Sequence, residues 1–122
     1  MFVVDKDVHL RRLLTEFLSD LGCGLRFFDD GYTALDQARL TPPTLIITEI
    51  LVPKLDGLAL CRLVKGDPSL AAVKVMVLTY LSAEDRARQS RADAFLIKPI
   101  QRPSILQSVR ALIEAPAEEI KP

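Results

Sequence analysis

Apolar residues fall in short blocks along this chain, and the blocks alternate between two periods. Phe2, Val3 and Val4 form a continuous apolar run that ends at Asp5. From there the apolar positions are Leu10, Leu13, Leu14, Phe17, Leu18 and Leu21, the spacing of one helical face. Gly22-Cys23-Gly24 stops that helix. Residues 25–28 predict a second strand, and Asp29-Asp30-Gly31 a turn. Residues 32–40 predict a short helix that ends before Pro42 and Pro43, because a residue preceding proline is pushed out of helical conformation. Runs at 45–48, 73–78 and 94–97 predict three more strands. A helix over 57–65 turns Leu60, Cys61 and Val64 inward and is broken by Gly66-Asp67-Pro68. Ser82 and Asp85 have capping-box spacing at the start of a helix over 83–90, which has almost no apolar face and is therefore weakly held. Pro103 suits the first position of a last helix, with Ile105, Leu106, Val109, Leu112 and Ile113 on its inner side.

Strands and helices thus alternate, five of each. The strands are short and almost continuously apolar, the pattern of a sheet covered on both faces. Alternating β and α units with right-handed crossovers give a parallel sheet. Ligands in such sheets sit at the carboxyl ends of the strands. Asp5, Glu49, Thr79 and Lys98 each follow an apolar strand, so the fold predicts that these four polar residues converge on one crevice.

Composition narrows the function. A chain of 122 residues fits one domain with a real core. Sixteen basic residues balance sixteen acidic ones, so no net field favours nucleic acid or an anionic membrane. No apolar stretch approaches the ~20 residues that span a bilayer, and the start lacks the apolar core of a signal peptide. Two cysteines, Cys23 and Cys61, are too few for a disulfide framework and fit a reduced cytoplasm. His9 is the only histidine, reads as a surface residue, and makes no metal-site spacing with the cysteines. Arg86, Arg88, Arg91 and Arg102 are interleaved with Asp85 and Asp93, which reads as a solvated face and not a nucleic-acid stripe. There is no GxGxxG, no GxxxxGK[ST] and no Ser-His-Asp set for a nucleotide binder or small enzyme. Residues 1–114 are expected to form the domain, and 115–122, rich in Pro, Ala and Glu, a tail or linker start.

The segment from Thr44 to Gly57 carries a resemblance. An apolar strand runs into Glu49, and Pro53-Lys54-Leu55-Asp56-Gly57 then opens a helix. With Asp5-Lys6-Asp7 after the first strand, Thr79 after the fourth and Lys98-Pro99 after the fifth, the chain resembles the response-regulator receiver (CheY-like) family over nearly its whole length. The resemblance implies a flavodoxin-like, doubly wound (βα)5 fold with a five-stranded parallel sheet. It also implies a signalling module rather than an enzyme. In that family an acidic pair after the first strand holds magnesium, and an aspartate after the third is phosphorylated. The Thr or Ser after the fourth strand, an aromatic on the fifth, matched by Phe95, and the Lys-Pro pair then respond to the phosphoryl group.

Several positions depart from that pattern. Glu49 is one methylene longer than aspartate, which displaces the carboxylate by ~1.5 Å, and ~1 Å misplacements can cost ~100-fold in rate. Lys6 stands where the second metal-binding acid is expected, and an ammonium cannot ligate a hard cation. Asp7 suits a helix cap better than a replacement ligand. Tyr80 stands where a small residue is usual and crowds the entry to the pocket. Phe95 has no hydroxyl. The stretch from Thr79 to Lys98 is shorter than usual by about three residues, nearly one helical turn. The expectation is an internal pair, Lys6–Glu49 or Lys98–Glu49, in a pocket with lost or weak magnesium binding and no other cofactor. The function expected is that of a phosphorylation-independent receiver. It would bind a protein partner or itself through the face made by the fourth helix, fifth strand and fifth helix, without direct nucleic-acid or membrane contact. The alternative is a phosphoacceptor with an altered but working site, using Glu49 or Asp7.

Overall fold

Strands that are apolar at nearly every position need cover on both sides, and the three central ones receive it, while the two edge strands stay partly exposed. A computed structural model describes residues 1–82 and 84–114, so the tail expected at 115–122 lies outside the described residues. The strands are β1 (Phe2–Val4), β2 (Arg26–Phe28), β3 (Leu45–Thr48), β4 (Lys74–Thr79) and β5 (Ala94–Ile97). They alternate with α1 (Val8–Phe17), α2 (Gly31–Leu40), α3 (Gly57–Gly66), α4 (Glu84–Gln89) and α5 (Arg102–Glu114). All pairings are parallel, in the order β2-β1-β3-β4-β5. The expected flavodoxin-like α/β architecture is therefore present. Its chain direction across the sheet reverses between β1 and β3, which opens a crevice at their carboxyl ends.

Alternation along each strand sorts the core into two layers. Phe2, Val4, Ile46 and Val75 face α2 and α3, where they meet Ala34, Leu35, Leu60, Cys61 and Val64. Val3, Leu45, Ile47, Met76 and Leu78 face α1 and α5, where they meet Leu10, Leu14, Ile105 and Val109. Burying one such aliphatic side chain contributes about 1.5–3 kcal/mol. α4 joins this packing through one buried apolar residue, Ala87, which touches the small cluster of Ile50, Leu58 and Val77.

The first helix differs from the expectation. Its apolar stripe continues to Leu21, but the α-helix ends at Phe17 and a 3-10 turn covers Ser19–Leu21. Leu18 is still buried. Ser19 Oγ donates to the Glu16 carbonyl and Leu21 N to the Leu18 carbonyl, which tightens the last turn. Gly22, at φ 67°, then reverses the chain in the left-handed region. The capping box at Ser82 turns on residue 83, outside the described residues.

Candidate functional site

The register of the sheet brings the strand-end residues together. Val4 pairs with Thr48, so Asp5 and Glu49 emerge side by side one step later, with Glu49 N donating to the Val4 carbonyl at 3.1 Å. Thr79 pairs with Ile97, which places Lys98 just past β5, its backbone N donating to the Thr79 carbonyl at 2.8 Å. From there the lysine stem is long enough to reach back over β4. Its Nζ lies 2.7 Å from Asp5 Oδ2 and 2.9 Å from Glu49 Oε2.

Three of the four carboxylate oxygens of this pair accept a hydrogen bond, and the fourth is in an ion pair. Asp5 Oδ1 accepts from Asp7 N at 2.9 Å, and Oδ2 from Lys98. Glu49 Oε1 accepts from Ile50 N at 2.6 Å, and Oε2 faces the same ammonium. The extra methylene of glutamate thus folds the side chain back onto its own turn while still meeting the lysine. The lysine side chain is 5% exposed and the carboxylates 9% and 11%.

Burial alone would pull the Lys98 ammonium down, but its hydrogen bonds to Asp5 and Glu49 outweigh that and hold its pKa above the ordinary 10.5. A lysine raised in the folded state contributes stability that is complete below 10.5 and disappears as pH rises through the folded value. Alkaline denaturation followed by circular dichroism checks this. The stability difference between wild type and Lys98→Met is expected to stay flat near neutrality and to shrink only above pH 10.5.

The other expected positions divide. Thr79 is buried, and its Oγ1 accepts from Leu81 N at 3.2 Å, so the hydroxyl is engaged with the loop after β4. Tyr80 is 65% exposed and stands at the rim, its ring centroid 5.2 Å from Lys98 Nζ. Its ring therefore covers the ammonium from the solvent side and also lines a cavity of about 140 Å³ with Asp7, His9 and Pro99. Phe95 is half-buried against the Ile50, Leu58, Val77 and Ala87 cluster. The Lys98–Pro99 peptide is cis. Lys6 and Asp7 are exposed. Asp7 caps α1, its Oδ1 accepting from His9 N at 2.9 Å and Leu10 N at 3.3 Å. Of the two internal pairs expected, Lys98–Glu49 forms; among the described residues Lys6 joins no ion pair. Of the arginines singled out in the sequence, Arg102 reaches Asp20 at 3.4 Å, and Arg91 lines a cavity with Lys65 and Asp93.

Sequence reasoning missed Arg11. Its Nε donates to the Asp5 carbonyl at 2.7 Å, and its Nη2 donates to the Phe28 carbonyl at 3.3 Å and meets Asp29 Oδ1 at 2.7 Å. One guanidinium thus ties together the ends of β1 and β2 and steadies the backbone of Asp5. Nothing in the apolar spacing of α1 marks that residue. Gly57 was read only as a helix start, yet a Cβ there would lie 2.1 Å from the Glu49 carbonyl oxygen.

Comparison with known proteins agrees with this geometry. The chain is 28% identical over 114 residues to protein PilG of Pseudomonas aeruginosa, covering 91% of this chain and 84% of PilG. It is 27% identical to the DNA-binding response regulator MtrA of Mycobacterium tuberculosis, covering 98% of this chain but only 52% of MtrA. Several curated relatives are thus about twice as long as the part that matches. The crystal structure of the signal receiver domain of a signal transduction histidine kinase from Syntrophus aciditrophicus superposes with a TM-score of 0.86 at 30% identity, covering 99% of this chain and 95% of that one. The model of the response regulator receiver domain matches residues 1–110. Because that match takes in every strand and the whole strand-end crevice, the chain belongs to the response-regulator receiver family.

Proposed function

We propose that this receiver domain, residues 1–114, works without phosphorylation, as a cytoplasmic protein-interaction or dimerisation module. The observation that carries the reading is the closed polar cluster of Asp5, Glu49 and Lys98, in which every carboxylate oxygen already has a hydrogen-bond or ion-pair partner. Phosphoryl transfer needs a free nucleophile and a metal to neutralise the moving oxygens. Here the Glu49 carboxylate is bonded at both ends, and Lys6 supplies no oxygen to a hard cation. Among the described residues no group of three or more His, Cys, Asp or Glu side chains is placed to hold a metal ion. These features do not fit a magnesium site of ordinary strength, and we take its binding to be lost or weak. The cluster carries one net negative charge, so it mimics a phosphorylated site only in part, since a phosphoryl group brings ~1.5–2 charges and three acceptor oxygens. The partner is a protein or a second copy, met on the face formed by α4, β5 and α5. Residues 1–114 make no direct contact with nucleic acid or membrane in this reading, even though relatives such as MtrA are DNA-binding regulators.

Amide-resolved NMR tests the proposal, with magnesium added first and beryllofluoride second. Wild type is expected to show no shift at Asp5, Glu49, Thr79 or Lys98, whereas Lys6→Asp/Glu49→Asp shifts around Thr79 and Phe95. Saturable wild-type shifts at Asp5, Glu49 and Lys98 would sink the proposal and favour an altered but working phosphoacceptor.

A further inference from the structure

We infer that the cavity between the start of α1 and the loop after β5 is a binding site for a small, uncharged aromatic amide. This goes beyond the interaction-module reading and does not depend on it.

The cavity has a volume of about 140 Å³. An apolar cavity of ~150 Å³ in a protein interior takes up one benzene molecule, so a single six-membered ring with a short substituent matches the space. The walls suit such a ring. Leu10 and Leu13 contribute from α1, and Pro99 and Ile100 from the loop after β5. Tyr80 adds an aromatic ring from the loop after β4, and an aromatic ligand gains from offset or edge contact with it.

Two charged residues on the same wall set the polar end. Lys98 lines the cavity although its side chain is only 5% exposed. An ammonium carries three N–H donors. Asp5 Oδ2 and Glu49 Oε2 account for two, and the third meets no oxygen or nitrogen acceptor among the described residues, the Tyr80 ring lying 5.2 Å away. Asp7 is the converse case. Its Oδ1 accepts from His9 N and Leu10 N as the cap of α1, while its Oδ2 accepts no hydrogen bond among the described residues. The cavity thus offers a spare donor and a spare acceptor of opposite charge. A carboxylate ligand would meet Lys98 but face Asp5, Asp7 and Glu49. An ammonium ligand would meet Asp7 but face Lys98. A zwitterion would lose the hydration of two charges. A carboxamide carries an acceptor for Lys98 and a donor for Asp7 and brings no charge to desolvate. His9, the remaining polar residue on the wall, is exposed and can donate or accept.

The test titrates benzamide into the isotope-labelled full chain, beside benzoate, benzylamine, phenylglycine and toluene, which share its ring. Benzamide is expected to give saturable shifts at the Asp7, Leu13, Tyr80 and Ile100 amides, with a Kd on the order of 1 mM, and contacts from its ring protons to the Leu13 and Ile100 methyls. The other four should bind at least about fivefold more weakly. Asp7→Asn keeps a capping side chain on α1, so it should leave thermal stability nearly unchanged while narrowing the gap between benzamide and benzoate. Tyr80→Ala, at an exposed position, should weaken benzamide about threefold to tenfold. Absence of saturable benzamide shifts, or shifts confined to other surfaces, would overturn the inference. So would any of the other four probes binding within about fivefold of benzamide, or an unchanged gap in Asp7→Asn. None of these outcomes bears on the magnesium titration, which tests the closed polar cluster by itself.

Discussion

Gly57→Ala is expected to destabilise the domain by about 3 kcal/mol or more, enough to consume much of the stability of a single domain. A Cβ at this position would lie 2.1 Å from the Glu49 carbonyl oxygen and 3.0 Å from Thr48 Oγ1. The first of these atoms belongs to backbone, so no rotamer change relieves the contact. Nor can the turn swing away, because Gly57 N donates to the Ile50 carbonyl at 2.9 Å and Asp56 caps the same helix by accepting from Ala59 N. Urea unfolding reads the effect as a large fall in midpoint. Gly24→Ala, where a Cβ would meet nothing within 4 Å, is the control and should change stability little. A Gly57→Ala midpoint within error of wild type would show that the turn is looser than this packing requires.

The same close approach explains why Glu49 can face Lys98. The turn after β3 is pulled tight against the start of α3, so the first residue past the strand points into the crevice rather than along it. Gly31 plays the matching part on the neighbouring loop, where a Cβ would lie 2.1 Å from the Leu55 carbonyl oxygen.

Most of the architecture was legible in the sequence, for a definite reason. Strands such as Leu45–Thr48 are apolar throughout because helices cover both sheet faces, and that continuity separates them from the three-and-four spacing of α1 or α5. The strand-end residues were legible because a parallel sheet places every carboxyl end on one side. Ends of elements were harder to read. The stripe from Leu10 to Leu21 continues across a change from α-helix to 3-10 turn because Leu18 stays in the core whichever hydrogen-bond pattern holds it. Pro103 was expected at the first position of α5, which instead starts at Arg102, a shift within the usual scatter of helix ends.

The site was legible in its membership and less so in its bonding. Sequence alone left both Lys6 and Lys98 as candidates to pair with Glu49, with Lys6 read as the one more often simply exposed. Lys98 pairs because it is buried beneath Tyr80, where it has little alternative hydration, whereas Lys6 points to solvent. Arg11 was out of reach, since its contacts are to backbone carbonyls of Asp5 and Phe28, which carry no side-chain signature.

Lys98→Met should produce the second large effect, because it removes the ammonium shared by two mostly buried carboxylates. Breaking a buried ion pair from one side costs about 3–5 kcal/mol, and the slight exposure of Asp5 and Glu49 places this variant near the lower end, about 3 kcal/mol. Glu49→Gln should cost far less. The Lys98–Asp5 bond survives, and the amide oxygen that the substitution introduces can still accept from Ile50 N. The informative variant is the double one. Lys98→Met/Glu49→Gln removes one of the two uncompensated charges, so it should be more stable than Lys98→Met by at least about 1 kcal/mol despite carrying one more substitution. Thermal unfolding of the four proteins closes the cycle. If the single and double variants unfold together, Lys98 stabilises the domain through packing of its stem rather than through charge, and the closed polar cluster loses its electrostatic basis. If the double variant is rescued, the ammonium is the built-in cation of the crevice, and Asp5 and Glu49 are held in place by a residue of the chain itself.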